Sequence, residues 1–184
     1  MRVITTKNNW KTLSSETVYE NAWLEVSHRE VINPAGKDGI YGVVKFKNKA
    51  LGIIPIDENG YLYLVGQFRY TLDEYSWEIP EGGGPFNEDV LDAAKRELKE
   101  ETGLLASKWT RLSRIHTSNS ATDEEGFIFL AEELSQAEAE PEETEELQVK
   151  KIHLSEAVEM VMRSEITDAI SIAGILMAAR LKGI

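Results

Sequence analysis

Residues 82–105 read GGGPFNEDVLDAAKRELKEETGLL, and the fold is decided by what the second half of this stretch does with its glutamates. From Asn87 onward the pattern is helical, with Asn87 behind Pro85 as the expected N-cap and Gly103 as the expected stop. The last turn carries Glu97, Glu100 and Glu101. Carboxylates at a helix C-terminus oppose its partial negative charge, and Glu97 and Glu101 add a like-charged i,i+4 pair. With Val90 at zero and about 100° per residue, Ala94, Leu98 and Leu91 fall at about 40°, 80° and 100°, a single apolar stripe. On the same wheel Glu97 and Glu101 fall at about −20° and 20°, at the edge of that stripe, and Glu100 at about −80°. Lys95 and Lys99 point away, at about 140° and 180°.

Three carboxylates expected to converge at a partly buried helix end require positive charge. Divalent cations supply it economically, and hard oxygen ligands suit Mg²⁺ or Mn²⁺. The plainer reading is a solvated acidic helix end, but the angular positions argue against it. Gly82, Gly83 and Gly84 are expected to form a loop that lets backbone approach a ligand or metal. Asp92 and Arg96, four apart, are expected to pair along the helix.

Working outward, the 184-residue chain is long enough to bury a core as one domain. A formal net charge of −12 argues against a nucleic-acid partner held by phosphate neutralisation. The absence of cysteine excludes disulfides, thiolate metal sites and cysteine nucleophiles. No apolar run approaches the roughly 20 residues of a membrane span, and the start of the chain lacks the pattern of a secretory signal. A cytoplasmic protein without membrane or nucleic-acid partners is therefore expected.

Before this helix the chain reads as strands. ETVYENAWLEVSHREVI holds two, broken near Asn21; residues 33–39 form a turn cluster, and YGVVKFKNK follows as a strand. Two apolar runs flank Asn59-Gly60, a hairpin signal, and SWEIPEGGG is a short strand stopping at Pro80. After the helix, KWTRLSRIHTS, EGFIFLAEEL and LQVKKIHL read as strands. Two terminal helices follow, with Ser155 and Asp168 as expected caps; the second is apolar nearly all round. This mixture points to an α+β, layered α/β/α domain.

The run Gly82, five residues, Glu88, seven residues, Arg96-Glu97-Leu98, one residue, Glu100-Glu101, one residue, Gly103-Leu104 resembles a complete Nudix box. That resemblance implies an α/β/α sandwich with a mixed sheet, a Mg²⁺ (or Mn²⁺) cluster on the box helix, and hydrolysis of a nucleoside diphosphate linked to another moiety. VGQFRYTLDEYSWEIPEGG, ELQVKKIHLSEAVEMV and ITDAISIAGILMAARL are similar to the ADP-ribose and nucleotide-sugar pyrophosphatase branch. The N-terminal strands, within residues 1–48, resemble that branch's additional antiparallel sheet, which helps form a homodimer; residues 49–184 would form the hydrolase domain.

The resemblance implies Glu97 and Glu101 as metal ligands, with Glu100 assisting in binding and catalysis and the Glu81 carbonyl as a further ligand. Glu88, Arg96 and Gly103 would hold the box together. Glu143 and Glu145, in an acidic stretch with eight glutamates among residues 131–146, are the general-base candidates, unless that stretch is merely a solvated loop. Asp123 and Glu124 are a second candidate region. Arg69 could bind a phosphate bidentately or be a surface strand arginine; Glu78, Gly82 and Gly83 would line the substrate. Trp23, Tyr70 and Trp77 could stack a nucleobase, although strand aromatics are more often core. His28, His116 and His153 lack metal-ligand spacing and are expected to be structural. Other Nudix substrates (dinucleoside polyphosphates, NADH) and a non-catalytic nucleotide sensor are the alternatives; sensors typically lose box glutamates, and here all are present.

Overall fold

The computed structural model describes residues 7–137 and 147–184. The chain divides into two compact units, one containing the chain up to Lys47 with Ser118–Glu124, the other Asn48–Thr117 with Glu125–Ile184.

The first unit is an antiparallel meander of β1 (Lys11–Glu20), β2 (Leu24–Ile32) and β3 (Asp38–Phe46). The break at Asn21 is an Asx turn: its Oδ1 accepts from the Trp23 and Leu24 N–H groups at 2.8 Å each. Asn33 repeats the device toward Ala35 and Lys37. Ser118–Glu124 belongs here because Val44 N–H donates to Ala121 O and Phe46 N–H to Asp123 Oδ1, both at 2.9 Å.

The second unit holds β4 (Asn48–Pro55), β5 (Tyr61–Arg69), β6 (Glu74–Glu78), β7 (Glu81–Pro85), α1 (Val90–Thr102), β8 (Leu104–His116), β9 (Glu125–Gln136), β10 (Gln148–His153), α2 (Leu154–Met162) and α3 (Ala169–Lys182). Its four-stranded sheet runs β7-β4-β9-β8 and is mixed, β4 and β9 being parallel; a three-stranded antiparallel sheet runs β10-β5-β6. The alternation of side chains along β4 and β9 builds two cores from one sheet. Leu51, Ile53, Phe127 and Phe129 pack with Ala94 and Leu98 of α1. Ile54, Ile56, Ile128 and Leu130 pack with α2 and α3 on the opposite face. This is the expected α/β/α layering. Gly174 lets α3 approach closely, since a Cβ there would meet Ile54 Cδ1 at 3.0 Å.

Several local expectations are corrected. The glycine run is not a loop but strand β7, with Gly82 opposite Leu51 and Gly83 opposite Ala50. Backbone hydrogen bonding to β4 compensates for the absent side chains, and Gly84 admits Ala93 Cβ, 3.3 Å from where its own Cβ would lie. Asn87 does not cap α1; it lies in a turn closed by Glu88 N–H to Pro85 O at 3.0 Å. Asp89 is the cap, its Oδ1 accepting from Leu91 N–H at 2.9 Å. Gly103 does end the helix, in the left-handed region at φ 66°. Ser155 does not cap α2: His153 Nδ1 accepts the Ser155 N–H, so this histidine is structural. Asp92 pairs with Lys95 at 2.9 Å rather than with Arg96. Trp23 and Tyr70 are not core residues: Trp23 is largely exposed and Tyr70 is 93% exposed, whereas Trp77 packs half-buried against the core. Among the described residues no helix is long and apolar enough to cross a membrane.

Candidate active site

Strand β7 and helix α1 meet through the box glutamates. The Glu97 carboxylate sits against the Gly82 α-carbon, in space that any Cβ at residue 82 would occupy. One turn later Glu101, 4% exposed, accepts the Glu81 N–H at 3.0 Å through Oε2. Two carboxylates of one helix edge thus abut the first two residues of a side-chain-poor strand.

Arg96 gathers the rest. Its Nη1 donates to Glu97 Oε1 and Glu100 Oε2, both at 2.8 Å, and its Nη2 to the Gly83 carbonyl at 3.1 Å and Glu88 at 3.3 Å. Burial disfavours the guanidinium charge, but Glu97, Glu88 and Glu100 outweigh it and push its pKa up. Arg96 therefore ties helix, strand and turn together, the geometry of a positioning group.

On the other flank, the buried Glu78 is gripped by Arg69, whose Nε lies 3.0 and 3.2 Å from the two carboxylate oxygens and whose Nη2 also contacts Oε2. Glu78 raises the Arg69 pKa. Because the Nε–Nη2 edge is committed, Nη1 is the edge of the planar guanidinium turned away from Glu78. Arg69, Gln67, Glu81, Gly82, Ala50 and Leu51 line a cleft of about 230 Å³. The Glu81 carboxyl accepts from Ser171 Oγ at 2.7 Å. Burial, then the nearby Asp168 carboxyl, pushes its pKa well up.

The three-carboxylate convergence expected from the helix wheel is not found. Arg96 bridges Glu97 to Glu100, Glu101 is held by the Glu81 N–H, and among the described residues no three acidic, histidine or cysteine side chains form a ready cation site. The donor chemistry nonetheless fits a hard cation: Glu97 and Glu101 offer carboxylate oxygens one helical turn apart, beside backbone that carries no side chain at residues 82–84. One guanidinium against Glu88, Glu97 and Glu100 leaves the cluster negative, which favours cation uptake.

Glu143 and Glu145 lie outside the described residues. Asp123 stands in the first unit with its Oδ1 engaged by Phe46 N–H. Ser171, Asp168 and Gln67 had no sequence signal as site residues; only Asp168 was visible, as a helix cap, and it does accept Ser171 N–H at 2.7 Å.

Comparison with known proteins is consistent along most of the chain. The profile described as NUDIX domain matches residues 47–169, and that of the nucleoside diphosphate sugar hydrolase N-terminal domain matches residues 10–44. The chain is 34% identical over 161 residues to the ADP-ribose pyrophosphatase of Bacillus subtilis (strain 168), covering 86% of each. It is 34% identical over 181 residues to the ADP-ribose pyrophosphatase of Mycobacterium tuberculosis (strain ATCC 25618 / H37Rv), covering 92% of this chain and 83% of that one. A solved structure titled "Crystal structure of ADP compounds hydrolase" has the same fold, with a TM-score of 0.86 over 97% of both chains at 23% identity.

Proposed function

The chain belongs to the Nudix hydrolase family and is a Nudix pyrophosphohydrolase, and from that premise we propose that it cleaves the pyrophosphate bond of ADP-ribose or a nucleoside diphosphate sugar, giving a nucleoside monophosphate and a sugar phosphate. The observation that carries this reading is the apposition of Glu97 and Glu101 to Gly82 and Glu81, beside the Arg69-lined cleft. Similarity over most of the chain to two proteins named ADP-ribose pyrophosphatase supports the substrate.

Nudix hydrolases generally use divalent metal ions. In this chain Mg²⁺ or Mn²⁺ would be held by Glu97 and Glu101, with Glu100 and the Glu81 carbonyl contributing. When bound, such an ion polarises phosphoryl oxygens and lowers the pKa of water. The chain's own groups do the remaining work. Arg69, braced by buried Glu78, presents its Nη1 edge to a phosphate or to the ribose side. Gly82 and Gly83 leave the cleft wall free of side chains, so substrate can approach backbone. Arg96 keeps Glu97 and Glu100 in place and ties them to Gly83 and Glu88. Glu143 or Glu145 would accept the proton of the attacking water. A homodimer is part of the same reading: Trp10, Leu13, Val18, Tyr19, Trp23 and Ile40 of the first unit are all exposed.

The test is a panel of ADP-ribose, ADP-glucose, UDP-glucose, GDP-mannose and NADH with Mg²⁺, products being separated and identified. AMP and ribose 5-phosphate from ADP-ribose are expected, with turnover lost on adding a chelator. Binding without turnover would instead make the chain a sensor. Glu143→Gln and Glu145→Gln assign the base: if neither slows the reaction, the proton goes elsewhere.

A further inference from the structure

Ser171 occupies the first turn of α3 and is fully buried. In the first turn, its own helix offers no preceding turn to take the hydroxyl, which reaches across the sequence. Its Oγ accepts the Ile79 N–H at 3.0 Å and donates to the Glu81 carboxyl at 2.7 Å, partners 92 and 90 residues away. Asp168 caps α3 by accepting the Ser171 N–H at 2.7 Å, which fixes the turn that carries the hydroxyl.

These bonds clamp the corner that launches β7. Ile79 and Glu81 stand on either side of Pro80, and the Pro80 carbonyl accepts the Ile53 N–H of β4 at 2.8 Å. The corner is thus held by α3 at both ends and by β4 in the middle. Glu81 then acts as a coupler: its side chain is held by α3, while its N–H holds Glu101 of α1. The next residue, Gly82, carries the Glu97 carboxylate against it. We infer that Ser171, supported by Asp168, is a positioning residue for the carboxylates that take up the cation, acting through Glu81 although it touches neither carboxylate itself. This rests on the reading that Glu97 and Glu101 hold a divalent ion.

The experiment is a Mn²⁺ titration of the purified full chain without substrate, followed by electron paramagnetic resonance, with thermal melts run in parallel. Ser171→Cys keeps the volume but replaces a strong O–H donor by a weak S–H. It should weaken Mn²⁺ binding by about 10- to 100-fold, the range for removing a partner that orients a metal ligand. It should raise the Mg²⁺ concentration for half-maximal activity to match. Ser171→Ala should do the same, and Ser171→Thr, which keeps the hydroxyl, should restore binding. If Ser171→Ala does not fold, the cysteine variant carries the test. A cysteine variant that melts cooperatively and binds Mn²⁺ like the unsubstituted chain, even at a lowered Tm, makes Ser171 a packing residue and overturns the inference alone. Unsubstituted protein that takes up no Mn²⁺ overturns the cation reading and this inference with it.

Discussion

The Glu97 carboxylate occupies the space in which residue 82 would carry a Cβ, so Gly82 and Glu97 are a matched pair: the glycine exists where the carboxylate lies. The atoms in conflict belong to the far end of a flexible side chain, not to backbone. Gly82→Ala should therefore fold and melt close to the unsubstituted Tm while displacing Glu97. Misplacing a reacting group by about 1 Å can cost about 100-fold in rate. A loss of that order in kcat, with an unchanged melt, is expected; normal turnover would separate Glu97 from the chemistry.

Arg96 makes four contacts from two nitrogens, to Glu88, Glu97, Glu100 and the Gly83 carbonyl. A lysine keeps the charge but not the planar fork that permits this. Arg96→Lys should lower kcat by about 10-fold or more, within the range for removing an orienting partner of a metal ligand. Steady-state kinetics at saturating Mg²⁺ would reveal it, and an unchanged kcat would reduce the guanidinium to a source of charge.

A stability effect is expected at Gly52 of β4. A Cβ there would collide with Ile170 Cγ2 and lie 3.0 Å from Ile79 Cδ1, both in the packed interior between sheet and α3. Overpacking of this kind costs about 1–3 kcal/mol. Urea unfolding of Gly52→Ala should show a lower midpoint with an unchanged slope.

The pH dependence has a definite sign at Glu132. Lys108 and Lys182 donate to it at 2.8 and 2.6 Å and hold its carboxyl below the usual carboxylate range. A folded-state pKa that is depressed contributes stability above the unfolded-state value, about 4.3 for glutamate. That stability is lost as pH falls through the folded value. Glu132→Gln should therefore lower the Tm at pH 7, and the gap to the unsubstituted protein should close as the pH falls below the unfolded-state value. A gap that stays constant with pH would assign the effect to packing.

The helix α1, its apolar stripe, its Gly103 stop and the turn at Asn59-Gly60 were legible in the linear order, as was the family, because box spacing and helical period are properties of residues a few positions apart. The hairpin expected at that turn did not form, since β4 and β5 join different sheets and meet there only through the Ile56–Leu62 bridge. Local signals misplaced one boundary: Asn87 was the cap expected from the sequence, but the turn from Pro85 to Glu88 takes it up and Asp89 caps the helix. Partnership through space was beyond the sequence altogether. The glycine run became a strand because β4, some thirty residues upstream, supplies its hydrogen bonds. Arg96 turned to Glu97, Glu100 and Glu88 rather than to Asp92 because β7 brings the Gly83 carbonyl within reach of the same guanidinium. Ser171 met Glu81 across 90 residues because α3 packs close over the sheet at Gly52 and Gly174. Periodicity and spacing reside in the chain, whereas the partner of a polar group depends on which distant backbone the packed core brings beside it.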